Sequence, residues 1–322
     1  MKVRLKQFRV AAGMTQANVA AEVGVTQPNY HRWETGSAPI PEAKLKKLAK
    51  ALKTNPEAIL GKYPPIETSL YDDSVSDALS YYGEVSVHFC GGGAPLLLSI
   101  SEEAFSRLHR DLQDEFAFVT VESLANQTVA IRTAAVTDVY FSSEAYDDYG
   151  PEHGKYANHT DLQMPDGRDW EIVECLAADE VGIEDFDPAD VQRVRERIMI
   201  TDEQYEKLVA DGAIKSEDLQ EERAKNQVET DRILEMSSQT TYQLSTGQRR
   251  SVHVDGSLEL FEAFYELTDF GGGELGNDYI RLAAEGRHRV IFINKSALDY
   301  VTIPTHRYQE GRVEANAADL DA

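Results

Sequence analysis

Cysteine is scarce: Cys90 and Cys175 are the only two among 322 residues. They are far apart, which argues against a disulfide framework and for two free, partly buried thiols in a reducing compartment. Long apolar runs are also missing. None approaches the roughly 18–20 residues that a membrane-spanning helix needs, so no membrane partner is expected. The opening stretch "MKVRLKQFRV" is basic and amphipathic. It has no apolar core or small-residue cleavage site, so it is not expected to be a secretory signal, and the expected location is the cytoplasm. Positive charge is in short supply, with 32 Lys and Arg against 56 Asp and Glu and a net charge of −24. An apolar share of 42 % beside 27 % charged residues suits a globular chain. The length exceeds one core of about 100–200 residues, so two or three domains are expected.

The charge is unevenly placed. Residues 1–60 contain ten Lys or Arg and four Glu, a surplus of six, so the −24 of the whole chain leaves −30 for the rest. Blocks of opposite charge suggest separate tasks. The segment "KYPPIETSLYDDSVSD" at 62–77 pairs Pro-Pro with polar and acidic residues and reads as a semi-stiff connection at a domain boundary.

The first sixty residues carry five short helical signals. The first is expected over about 4–12, with Leu5 and Phe8 on one face. Thr15 is positioned to cap a second, ending at Gly24, and Thr26 a third, with Pro28 in its first turn. A fourth is expected over about 41–52. Asn55 is placed to cap a last turn over 56–60. Ala20 is small where two helices must approach closely, and Val19, Val23, Val25, Tyr30 and Trp33 fall where residues are buried between them. This is the pattern of two helices joined by a tight turn, the second of which enters a major groove. The stretch "LKQFRVAAGMTQANVAAEVGVTQPNYHRWETGSAPIP", followed by "LKKLAKAL", resembles the Cro/C1-type (XRE) family of helix-turn-helix DNA-binding domains over about residues 3–61. Its R-x-x-x-G-x-T-Q, A-x-x-x-G and W-E-x-G signatures carry the likeness.

The resemblance implies roles for particular positions. Gln16, opening the second helix, would contact a phosphate with help from the helix N-terminus. Thr26 caps the recognition helix, on whose outward face lie Gln27, Pro28 and Arg32. Arg32 would suit a bidentate pair with guanine and Gln27 one with adenine. Asn29 and His31 would touch phosphate or flanking bases. Pro28 departs from the polar residue common there and offers only apolar contact, as to a thymine methyl. Arg9 and Glu34 match the family's internal ion pair. Lys44, Lys46, Lys47 and Lys50 fit either a phosphate-facing edge or an ordinary solvated face.

Beyond the linker the chain is expected to repeat itself. "FVTVESLANQTVAIRTAAVTDVYF" (118–141) aligns without gaps on "YIRLAAEGRHRVIFINKSALDYVT" (279–302), with Asp138 and Asp299 each read as preceding a third strand. "SVH" recurs at 86–88 and 251–253, each read as a strand end, and helices are expected near 101–112 and 258–267. The fold class expected is therefore a multidomain chain: an all-α helix-turn-helix head, then an α+β body. The body would hold two β-α-β-β-β units, pairing about a pseudo-twofold and flanking a helical segment. The expected boundaries are 1–62 for the head, 63–77 for the linker and 78–150 for the first unit. A strand plus helices follows at 151–236, then the second unit at 237–312 and a disordered tail at 313–322. In the middle segment "DGRDWEIVECLAADE" reads as a turn and strand. Thr201 with Gln204 forms a capping box for a helix that Gly212 ends, and a polar helix runs from Ser216 to Met236.

Several motifs fail on context. "GGGELG" at 271–276 precedes a strand rather than a helix, and "CGGGAP" at 90–95 reads as a loop. His88 with Cys90, and His153 with His159, lack the spacing of a metal site. "DEVGIEDFDPAD" at 179–190 lacks the glycine and terminal Glu of a calcium loop. No nucleophile–base grouping is evident, so no enzyme, cofactor or metal is expected. Two functions remain. One is a sequence-specific regulator, acting as a dimeric repressor on a palindromic duplex operator, whose body senses an effector or partner. The other is an antitoxin-like or phage- or plasmid-linked control protein whose acidic body grips a protein partner. In either case, an acidic body on a short linker is expected to compete with phosphate for the basic head.

Overall fold

A computed structural model of the chain describes residues 3–62, 80–143, 162–254, 256–269, 278–283 and 289–321. The expected linker, His153, His159 and the 271–276 glycine run lie outside these residues.

The head is five helices: α1 (Leu5–Ala11), α2 (Gln16–Val23), α3 (Gln27–Glu34), α4 (Glu42–Ala51) and α5 (Pro56–Ile59). Their apolar stripes converge on one small core built from Leu5, Val19, Val23, Tyr30, Leu48 and Ile59. Asn55 caps α5 by accepting the Ala58 N–H at 2.7 Å, the role its position predicts.

The body begins with β1 (Tyr81–Phe89), β2 (Leu96–Ser101), α6 (Glu102–Asp111), β3 (Phe118–Glu122), β4 (Gln127–Arg132) and β5 (Val136–Ser143). Four helices follow: α7 (Gly167–Ala177), α8 (Pro188–Ile198), α9 (Asp202–Ala210) and α10 (Leu219–Met236). Then come β6 (Gln239–Leu244), β7 (Arg249–His253), α11 (Ser257–Thr268), β8 (Tyr279–Ala283), β9 (Val290–Asn294), β10 (Leu298–Pro304) and α12 (Thr305–Asp321). The order β-β-α-β-β-β thus occurs twice, and in both cases a 3₁₀ turn (Thr133–Ala135, Lys295–Ala297) precedes the last strand. The expected unit lacked one strand before the helix: in the first copy β2, which follows the glycine turn after Phe89, and in the second β6, which precedes the strand ending at His253. The repeated SVH tripeptides are not equivalent marks: one lies in β1, the first strand of its unit, the other in β7, the second strand. Asp138 and Asp299 lie inside β5 and β10 rather than before them.

Among the described residues all strand pairs are antiparallel, in sheets ordered β2-β1-β5, β3-β4-β10-β6-β7 and β8-β9. The trio β2-β1-β5 is matched by β7-β6-β10. The second hairpins behave differently. β3–β4 joins β10, Tyr300 facing Ile131 and Val301 facing Ala130, whereas β8–β9 pairs only with itself among the described residues. The expected pseudo-twofold is therefore broken in the strand pairing. Period-2 alternation serves both faces of the five-stranded sheet. Val119, Val121, Val129, Ile131 and Tyr300 enter the core under β1 and α6, while Phe118, Ala130, Val301 and Ile303 enter the one under α11. β10, buried along its whole length, is the shared wall.

Two further expectations are corrected. The segment 167–177 is a helix, not a strand: Asp166 caps it by accepting the Arg168 N–H, and Trp170 and Val173 sit one turn apart in a core with Ile198 and Ile233. Residues 305–321 are helix α12 rather than a disordered tail beyond Gly311. Its early residues His306 and Tyr308 are buried, and its later half includes the strong helix formers Glu314, Ala315, Ala317, Ala318 and Leu320. The capping box of Thr201 and Gln204 forms as expected, and Gly212 after α9 takes a positive φ of 72°. Cys175 is half-buried, but Cys90 is exposed in the β1–β2 turn, contrary to the expected pair of partly buried thiols. His88 contacts Asp138 at 2.8 Å.

Gly311 lets α12 lie against α11, because a Cβ there would stand 2.0 Å from the Ser257 carbonyl oxygen. Gly311→Ala is expected to destabilise the body by about 1–3 kcal/mol. This would appear as a lower urea midpoint at unchanged slope.

Candidate nucleic-acid interface

α2 and α3 are held at a fixed angle by local chemistry. Thr15 caps α2 by accepting the Asn18 N–H at 3.1 Å. Gly24 ends it in the left-handed region at φ +68°, where a side chain is strained. Lys44 Nζ donates to the C-terminal carbonyls of Val23 and Gly24 at 2.9 and 3.0 Å. Lys44 therefore belongs to the turn, not to a phosphate-facing edge, and complements the negative end of the α2 dipole. Lys46, Lys47 and Lys50 are exposed. Thr26 stands at the head of α3 with extended backbone and is exposed, but makes no side-chain cap.

Burial divides α3 cleanly. Tyr30 and Trp33 pack into the head core, and burial followed by the nearby Glu34 charge holds the Tyr30 phenol well above its usual pKa. Gln27, Pro28, Asn29, His31 and Arg32 are all exposed. Six of the seven sequence-derived contact residues thus lie at the start of α3 or along it. The seventh, Gln16, opens α2 and joins them: its Nε2 donates to Glu34 at 2.6 Å and stands 3.4 Å from His31 Nδ1.

Behind this surface sits Arg9. Its Nε donates to Glu34 at 2.8 Å and its Nη1 to the Met14 carbonyl at 2.9 Å, with the Arg9 and Glu34 side chains 1 % and 3 % exposed. One guanidinium thus joins α1, the segment entering α2, and the last residue of α3. A family model described as "Helix-turn-helix" matches residues 5–59.

Residues 5–59 match the Cro/C1-type helix-turn-helix.

No curated protein and no solved structure matches the chain. The helix-turn-helix supports a DNA-binding regulator. Among the described residues no helix is long and apolar enough to cross a membrane.

The helix-turn-helix does not stand apart from the body. Arg4 pairs with Glu171 of α7 at 2.6 Å, and Arg168 Nη1 donates to the Gly61 carbonyl at 3.2 Å. α1 also packs against α12, where Lys6 faces Glu314 at 3.6 Å and Arg9 Nη2 reaches Asp321 at 3.0 Å. The sequence signal for these contacts is only the opposed charge of head and body; it names no partner for Arg4, Lys6 or Arg9.

Breaking the Arg9–Glu34 pair on one side strands a buried charge. Arg9→Met is expected to destabilise the helix-turn-helix by about 3–5 kcal/mol, and adding Glu34→Leu to restore most of it. Hydrogen exchange resolved to residues 5–59 reads both effects within the head.

Proposed function

We propose that the chain is a sequence-specific transcriptional repressor that lays α3 in the major groove and binds a palindromic operator as a homodimer. The carrying observation is that Gln27, Pro28, Asn29, His31 and Arg32 form one exposed face on a helix whose opposite face is locked by Tyr30 and Trp33. Arg32 is the group suited to a bidentate guanine pair and Gln27 to an adenine. Thr26, Asn29 and His31 supply positioning contacts to phosphate, and Pro28 an apolar contact to a base edge. Lys46, Lys47 and Lys50 add positive charge on the same small domain.

One helix-turn-helix reads one half-site, so a two-fold pair spaced about 34 Å apart gives the operator its symmetry. The body supplies the pairing surface. On β8–β9, Arg281 stands opposite Phe292 and Ala283 opposite Val290. With Tyr279 these residues form the outer face, where Phe292 is 64 % exposed and Tyr279 and Val290 are also exposed. Apolar side chains clustered in this way suit a second copy of the chain. The rest of the acidic body is assigned to effector or partner sensing, with no catalytic role.

Selection of bound sequences from a random duplex pool should return a palindrome. Gln27→Ala with Arg32→Ala should lose about 1–3 kcal/mol of discrimination per contacted base while retaining non-specific affinity. Unchanged sequence preference in the double variant would sink the groove-reading assignment. Phe292→Arg is expected to shift the chain from dimer to monomer in analytical ultracentrifugation with an unchanged circular-dichroism spectrum. A stoichiometric second protein on purification from native cells, with the chain itself monomeric, would favour the control-protein reading instead.

A further inference from the structure

The point at which DNA would be received on α2 is already occupied by the chain's own terminal helix. Asp321, on the last turn of α12, accepts the backbone N–H of Gln16 through Oδ1 at 3.0 Å. Its other oxygen pairs with Arg9 Nη2 at 3.0 Å. Gln16 is the first residue of α2. Free N–H groups and the positive end of the dipole meet at such a position, which makes it suited to an oxyanion. In helix-turn-helix docking this first helix crosses the DNA backbone, so the oxyanion brought to its N-terminus is a phosphate. A carboxylate held by one helix-terminal N–H and one guanidinium uses the donors that a phosphate oxygen would use. Arg9 cannot turn aside to serve both, because Nε and Nη1 are fixed by Glu34 and Met14.

We propose that Asp321 is a resident mimic of a DNA phosphate, and that α12 is a lock which must release its last turn before the head can engage a duplex. The proposal rests on the groove-docking reading above and adds a regulation of it. The lock is built to be reversible. The Asp321 side chain is 29 % exposed and the Lys6–Glu314 pair lies at the surface, so each contact is individually weak and screened by salt. Tethering restores the balance, since an intramolecular carboxylate acts at an effective concentration near millimolar. The first half of α12 is anchored in the body by His306, Tyr308 and the Gly311 contact. Release therefore requires only the terminal turns to move. A partner or effector that captures those turns would switch the head on.

The test compares the full-length chain with Asp321→Ala and with Asp319→Ala. Asp319 is exposed one half-turn away, so its variant removes the same charge without touching the anchor. The probe is a fluorescein-labelled mixed-sequence duplex at low salt, read by anisotropy. Asp321→Ala is expected to bind about five- to tenfold tighter than wild type, because the open fraction multiplies apparent affinity. Asp319→Ala is expected to stay within about twofold of wild type, the loss of one distant screened charge. Saturating duplex should also speed hydrogen exchange across 313–321 in the wild-type chain. Equal affinities for the two variants, or terminal exchange unchanged by bound duplex, would overturn the lock while leaving DNA binding intact. If neither wild type nor Asp321→Ala binds any duplex, the groove-docking reading fails and the lock with it.

Discussion

The Arg9 guanidinium is the joint through which the head holds its shape and meets the body. Buried arginine is tolerated only where its donors find acceptors, and here they find three: the Glu34 carboxylate, the Met14 carbonyl and the Asp321 carboxylate. The first two set α1 against the entry to α2 and the end of α3. The angle of the reading helix therefore depends on a fork whose planar geometry admits little slack. The third couples that fork to Asp321, more than three hundred residues away in sequence. A group placed to stabilise the head therefore also contacts the body.

The opposed charges of head and body acquire a structural meaning from this joint. A surplus of positive charge on the first sixty residues favours any polyanion. A body at −30 is itself a polyanion, permanently present and tethered. Diffuse repulsion would keep DNA from the body but would not discriminate among sites on the head. Localised pairs do discriminate: Arg4 with Glu171, Lys6 with Glu314 and Arg9 with Asp321 bring acids to the α1 side, while the exposed face of α3 carries no acid among its contact residues.

Much of the head was legible from residues alone, because its determinants are local. Thr15, Gly24 and Asn55 do at the caps what their chemistry predicts, and Tyr30 and Trp33 fall inward at helical spacing. Thr26 sits at the right place but leaves its cap unmade, and Lys44 closes a helix end that the sequence offered no reason to assign to it. In the body the helices near 102–111 and 257–268 were legible, as was the repeated run of strands after each. The strand ending at His253 was legible as β7, but its hairpin partner β6 was not, and α7 was misread because Trp170, Ile172 and Val173 fit a short strand as well as a helix. α12 was misread because its polar residues show no single apolar face; it is stabilised by what surrounds it.

By itself the sequence determined the elements whose cause lies within a few residues: caps, turns, the buried stripe of α3 and the basic character of the head. Only the tertiary structure decided which sheet received each hairpin, since β3–β4 and β8–β9 have similar patterns yet pair differently. It alone decided that Asp321 would meet Gln16 and Arg9. Local propensities act over one or two turns of chain, whereas a contact across 305 residues exists only when packing brings its ends together, and no spacing in the sequence encodes that meeting.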